Sequence, residues 1–235
     1  DHASSVRCCL ETARNNGRSV RTALTREMWE ALNSAWNEFS VIRPADLGPG
    51  KLPELLDWVR QRAALFRGAM IGSLLRDEGY HFSQLGTLVE RGDNTARILD
   101  LKYTILLPSN EAVGGDRNLY QWEMILRSVA AHRAYRHFYK DSYRPSAVAE
   151  FLMLRPEMPR SLRFCAEFIG QSLEGLHART GGGAASLALA RASAAELEGA
   201  DMAAVFRTGL HEFLTAYLSR QIALSDAIID EFHFN

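Results

Sequence analysis

No stretch of this sequence approaches eighteen consecutive apolar residues, so it offers no membrane-spanning helix, and no membrane is expected as a partner. An excess of either charge is also missing: 27 Lys and Arg stand against 28 Asp and Glu. Such a chain raises no net field to draw in nucleic acid or an anionic surface. Cysteine is scarce. The three present, Cys8, Cys9 and Cys165, form no disulfide framework. The opening DHASSVRCCL lacks the basic flank and long apolar core of a signal peptide, which makes cytoplasm the expected compartment. The G-x-S-x-G elbow, the H-E-x-x-H zinc motif and the Gly-rich phosphate and dinucleotide loops are all absent, so no cofactor is expected. Alternation of apolar and polar residues, the mark of a half-buried strand, does not occur either.

What remains is helical periodicity. Residues 4–24 predict a helix capped by Ser4 or Ser5, with Val6, Cys9, Leu10, Ala13, Val20 and Leu24 on one face. Thr25 caps a second helix, 26–39, and RPADLGPG at 43–50 is a loop. Pro53 opens a helix to residue 76 that turns Leu56, Val59, Ala63, Phe66 and Met70 inward. A long helix over 79–108, ended by Pro108, carries Phe82, Leu85, Leu88 or Val89, Ala96, Leu99 and Tyr103 as its buried stripe. After a polar loop, helices follow at 117–141 (with Leu119, Trp122, Ile125, Leu126 and Val129 apolar), 146–154, 160–179, 184–198 and 201–231. The triple glycine 181–183 lacks the lysine and strand of a phosphate cradle and reads as a hinge.

Two passages repeat. SSVRCCLETA at 4–13 aligns with RSLRFCAEFI at 160–169, and LLRDEGYHF at 74–82 with AIIDEFHF at 227–234. The offsets agree closely, which predicts an all-α helical bundle built from two internal repeats within one domain, 1–235. Residues 1–78 form a partial first repeat and 79–235 the second. The twin of the long helix would precede residue 1.

Candidate chemistry gathers on that long helix. Glu90, Asp93, Arg97 and Asp100 follow one another at three, four and three residues, which stacks them in a line beside the apolar stripe. Glu11, Arg14, Arg18 and Arg21 repeat the spacing with mostly positive charge, so the two helices are expected to touch. Such a lattice sets packing register, or holds an amino acid or peptide terminus through forked guanidinium–carboxylate bonds; both readings stand. Glu-x-x-His pairs at Glu78–His81 and Glu174–His177 match di-iron bundle spacing, but they are not repeat-equivalent and lack two further inward glutamates, so no metal is expected. His81 and His233, flanked by aromatics, read as core or interface histidines. Cys9 and Cys165 fall on apolar faces and read as buried thiols; Cys8 is the more exposed candidate. Tyr135, His137, Phe138, Tyr139 and Tyr143 interleave with Arg133, Arg136, Lys140 and Arg144, a pattern read as a docking surface or amphipathic helix end.

LGTLVERGDNTARILDLKY at 85–103, LETARNNGRSVRTALTREMWEALN at 10–33 and PRSLRFC at 159–165, three separated motifs in the family's order, resemble the bacterial alpha-E domain family. The resemblance implies an all-helical domain whose motif glutamate falls on Glu90, with Arg91, Asn94, Thr95, Arg97 and Asp100 completing the pattern. Here Gly92-Asp93 stands where the family more often has alanine and then an acidic or polar residue. A glycine inside a helix costs roughly 1 kcal/mol against alanine, which points to close helix packing there. Family members occur beside circularly permuted ATP-grasp proteins and transglutaminase-like peptidases. The resemblance therefore implies a non-catalytic partner or substrate-presenting module of an ATP-grasp peptide or amide ligase. An enzyme working through Glu90, with Arg97 holding a substrate carboxylate, and an oligomeric scaffold pairing with its own copies are the alternatives.

Overall fold

A computed structural model describes residues 2–43, 48, 50–105, 116–140 and 143–233, leaving aside the side chains of residues 102–105 and 116–119. The described residues form eleven α-helices and no strand. They fall into two compact units, Asp1–Tyr80 and His81–Asn235.

The first unit holds α1 (Val6–Ser19), α2 (Arg26–Ser40) and α3 (Leu52–Ser73). Ser5 starts α1 by accepting from the Cys8 amide, and Thr25 starts α2 by accepting from Met28. Pro53 lies in the first turn of α3, where its missing N–H costs nothing. Helix α1 ends five residues earlier than its periodicity suggests, and a 3-10 turn at Arg21–Ala23 follows. Helix α2 packs on both neighbours and buries Met28, Ala31, Ala35 and Phe39. Gly17 is the one buried residue of α1, because a Cβ there would lie 2.8 Å from Leu32 Cδ1. Of the inward face expected on α3, only Met70 is buried; Leu56 and Ala63 are exposed. Cys9 is exposed too and Cys8 half-buried, the reverse of the order expected, since the face carrying Cys9 meets little of α2.

The second unit contains α4 (Glu78–Ile105, from His81 onward), α5 (Asp116–Ser128), α6 (His132–Tyr139), α7 (Pro145–Leu154), α8 (Leu162–Thr180), α9 (Ala184–Glu198), α10 (Met202–Thr208) and α11 (Leu210–Phe232). Pro108, the loop after it and the side chains of Tyr103 and Leu119 lie outside what is described. Two expected helices are each broken in two. The 117–141 helix stops where Ala130 adopts φ 54° and the Ala131 amide reaches back to Leu126 O. That bend brings Tyr135 into the core, where it stacks on Tyr139 and Tyr143 and meets Phe151 edge-on at 5.5 Å. The 201–231 helix breaks at Gly209, whose φ of 117° is closed to L side chains. Asp201 caps the short α10 that precedes it through the Ala203 and Ala204 amides. The glycine triplet is a tight connection: Gly181 ends α8 and Gly183 starts α9, both with positive φ.

Two apolar clusters fill this unit. One gathers Trp122, Leu126, Tyr135, Phe151, Leu152, Leu162, Leu214 and Tyr217; the other gathers Leu85, Leu88, Ile169, Leu173, Leu187 and Leu224. Burying each such side chain contributes roughly 1.5–3 kcal/mol. Helices α4, α8 and α11 run past both clusters: Leu88, Cys165 and Leu224 belong to one, Ala96, Leu162 and Tyr217 to the other. The stripe expected on α4 is buried at Leu85, Leu88, Ala96 and Leu99 and half-buried at Phe82 and Val89.

Candidate functional site

The charge line of α4 is drawn out along the helix surface by i,i+4 spacing, and half of it closes on itself. Arg97 grips Asp93 with two bonds, Nε to Oδ2 at 2.7 Å and Nη2 to Oδ1 at 3.0 Å. That pairing holds the guanidinium above its ordinary pKa. Asp100 accepts from His211 of α11, Nδ1 to Oδ1 at 2.6 Å. The Asp100 carboxylate, first by hydrogen bond and then by charge, raises the His211 imidazole above its ordinary value. Arg91 turns away and donates to Pro159 O at 2.9 Å, tying α4 to the approach of α8. Glu90 is exposed and meets Asn94 at 3.4 Å, the weakest contact of the set. The second line sits in the other compact unit. There Arg14 Nε donates to Asn33 Oδ1 of α2 at 3.4 Å, and Glu11 and Arg18 are exposed.

Beneath the line, Gly92 is buried. A Cβ at this position would stand 2.5 Å from the Tyr217 hydroxyl and 3.5 Å from Cys165 Cβ, so glycine is what lets α11 and α8 approach α4. Burial pushes the Tyr217 phenol up, with the nearby Cys165 and Asp93 adding to it. Burial likewise raises the Cys165 thiol to about 11, which keeps it protonated and unreactive at neutral pH. Thr95, in the middle of the motif, is wholly buried, and its hydroxyl makes no hydrogen bond.

Between α4 and α11 lies a cavity of about 320 Å³ lined by Gly86, Val89, Glu90, Asp93, Gln221, Ile222 and Ser225. It shares Gly86, Val89 and Ser225 with an apolar cavity of about 330 Å³ that reaches Phe82, Ile228 and Ile229. Together they form a groove, apolar along its length and acidic at the Glu90 end. Gln221 forms part of its wall; it is 3% exposed and its Oε1 makes no hydrogen bond. Sequence spacing brings Glu90, Asp93 and Arg97 together, but it carries no signal for Tyr217, Gln221 or Ile222, which lie over a hundred residues away.

The other candidates are structural. His177 Nδ1 lies 2.7 Å from Gly182 O, and Glu174 accepts from Arg191 at 2.8 Å. The His81 ring lies over Gly175, occupying the space a side chain there would need. His233 is exposed and ends α11 in a left-handed conformation, which excludes the core placement but not the interface one. Among the described residues no three His, Cys, Asp or Glu side chains gather as a metal site would require. No helix among them is long and apolar enough to cross a membrane.

The model of the Alpha-E family, described as a predicted alpha-helical domain with a conserved ER motif, matches residues 1–233. This chain belongs to the Alpha-E family. It contains a single Glu-Arg dipeptide, Glu90-Arg91, whose glutamate lines the α4–α11 groove. No curated protein and no solved structure matches this Alpha-E chain.

Proposed function

We propose that this Alpha-E chain is a non-catalytic partner or substrate-presenting module of an ATP-grasp peptide or amide ligase, and that the α4–α11 groove is where it is read. The observation that carries the reading is the exposed Glu90 carboxylate at one end of an apolar groove, held only loosely by Asn94. A carboxylate packed for register would be closed by a guanidinium, as Asp93 is by Arg97. Ile222 and Ile229 on the groove's α11 rim are 56% and 43% exposed, an apolar surface suited to a partner segment carrying a basic residue. The neighbourhood of ATP-grasp and transglutaminase-like proteins that the family resemblance implies supplies the class of partner. The internal duplication belongs to the same reading: Ser5 and Ser161, which it aligns, both cap helices through the amide three residues on.

The test is a titration of the purified chain against a circularly permuted ATP-grasp protein from the same source, followed by analytical ultracentrifugation. A one-to-one complex is expected. Glu90→Ala and Ile222→Asp should each weaken it at least about tenfold, or about 1.4 kcal/mol, with helix content unchanged. Self-association alone would favour the scaffold reading. Turnover by the isolated chain, lost in Glu90→Ala, would favour an enzyme.

A further inference from the structure

A second cavity, sharing no residue with the groove, lies where the end of α6, the end of α7 and the start of α10 converge. It measures about 320 Å³, at the small end of ligand pockets. Its polar lining carries both signs of charge, Arg155 together with Glu150 and Asp201, and the Tyr139 hydroxyl donates to Glu150. Leu154 and Met202 supply apolar wall. We infer that this cavity binds a free α-amino acid, its carboxylate on Arg155 and its ammonium on Glu150 and Asp201.

The state of each group supports that assignment. The Arg155 guanidinium lies 4.1 Å from the centre of the Phe138 ring, so an aromatic face holds it in place. Its Nε is buried and makes no hydrogen bond, and the Glu157 carboxylate, at 3.6 Å, is too far to supply one. A guanidinium held by a ring, with its nearest acid at the loose distance of 3.6 Å, keeps its Nη donors for an incoming carboxylate. Glu150 accepts one hydrogen bond, from Tyr139 Oη at 3.2 Å, and retains further lone pairs. Asp201 caps α10 through both oxygens, yet its nearest cation, Arg207, is 4.0 Å away, so its charge is not neutralised by a close partner. An anion alone would leave two carboxylates facing it, and a cation alone would face Arg155. A small zwitterion satisfies both sides. The volume favours a single amino acid over a longer peptide.

The binding is tested on the isolated chain, so its failure is distinct from failure of the ligase reading. Each of the twenty amino acids is titrated calorimetrically, alongside its N-acetyl derivative, its amide and the matching glycyl dipeptide. Saturable one-to-one binding of at least one free amino acid is expected. Masking either charge should weaken it at least about tenfold, since each removes a charge-assisted hydrogen bond. Arg155→Lys, which keeps the charge but loses the fork, and Glu150→Gln should weaken it by a similar factor, while Glu90→Gln leaves it unchanged. Saturation absent for every amino acid would overturn the proposal. So would affinity that survives masking, affinity indifferent to both Arg155→Lys and Glu150→Gln, or tighter binding of the dipeptides.

Discussion

The two compact units are made of the same kind of amphipathic helix, yet they bury their apolar faces very differently. Among the described residues of the first, burial is confined to Gly17, Met28, Ala31, Ala35, Phe39 and Met70, while Leu52, Leu56, Leu65 and Ile71 of α3 are each about half exposed. In the second, α7 alone buries Ala147, Val148, Ala149, Phe151, Leu152 and Met153. Hydrophobic spacing says which face of a helix is apolar; it does not say that anything covers that face. Stability should therefore be concentrated in the second unit. Leu152→Ala is expected to cost about 2–5 kcal/mol, and Ile71→Ala at most about 0.5, measured by urea unfolding. If Ile71→Ala costs as much as Leu152→Ala, the α3 face is covered in solution and the contrast disappears.

Within the second unit the contrast continues across α4 itself, between its outer charge line and its buried side. Gly92→Ala should destabilise the fold by about 1–3 kcal/mol, because the added methyl meets the Tyr217 hydroxyl. Tyr217→Phe removes the colliding oxygen and with it a buried hydroxyl that makes no hydrogen bond, so alone it should cost little. Combined with Gly92→Ala, it should recover much of the loss. Strict additivity of the two substitutions would show that the helices do not meet at this point.

Glu231 shows a surface carboxylate with a defined structural task. It accepts from the Ala185 and Ser186 amides, both at 2.8 Å, and so closes the N-terminus of α9 from α11. Burial alone would raise its pKa; the bonds from Ser186 and Ala185 and the neighbouring His177 outweigh that and bring it below 4.5. A depressed carboxylate stabilises the fold above its unfolded pKa, and the contribution is lost as pH falls through the folded value. Glu231→Gln is expected to cost about 1 kcal/mol at neutral pH and to flatten the acid limb of a melting-temperature profile. An unchanged acid limb would mean that the cap does not form.

Much of this arrangement is legible in the sequence where the signal is local. Ser5 and Thr25 cap as their positions predict, α9 spans the alanine-rich stretch, and the i,i+4 spacing of Asp93 and Arg97 delivers their ion pair. The breaks at Ala130 and Gly209 were not legible, for different reasons. Ala130 carries no breaker chemistry, and its left-handed turn is imposed by the packing of Tyr135 beyond it. Gly209 lies among good helix formers that read as continuous. The groove and the Arg155 cavity were illegible because each joins parts far apart in the chain, α4 with α11 and the end of α7 with the start of α10, and no periodicity encodes which helix lies opposite which.

The smallest expected effect decides how open the α4 line is. His211 is exposed, so its pair with Asp100 adds little to stability. Its titration still reports the contact. With its pKa raised, whatever the charged imidazole contributes is fully present below 6.5 and fades as pH rises through the higher folded value. A proton NMR titration should place the His211 midpoint above 6.5, and Asp100→Asn should bring it back toward 6.5. A midpoint already at or below 6.5 in the unaltered chain would mean that the 2.6 Å pair is not held in solution. The link between α4 and α11 at this end of the charge line would then rest on contacts other than this pair.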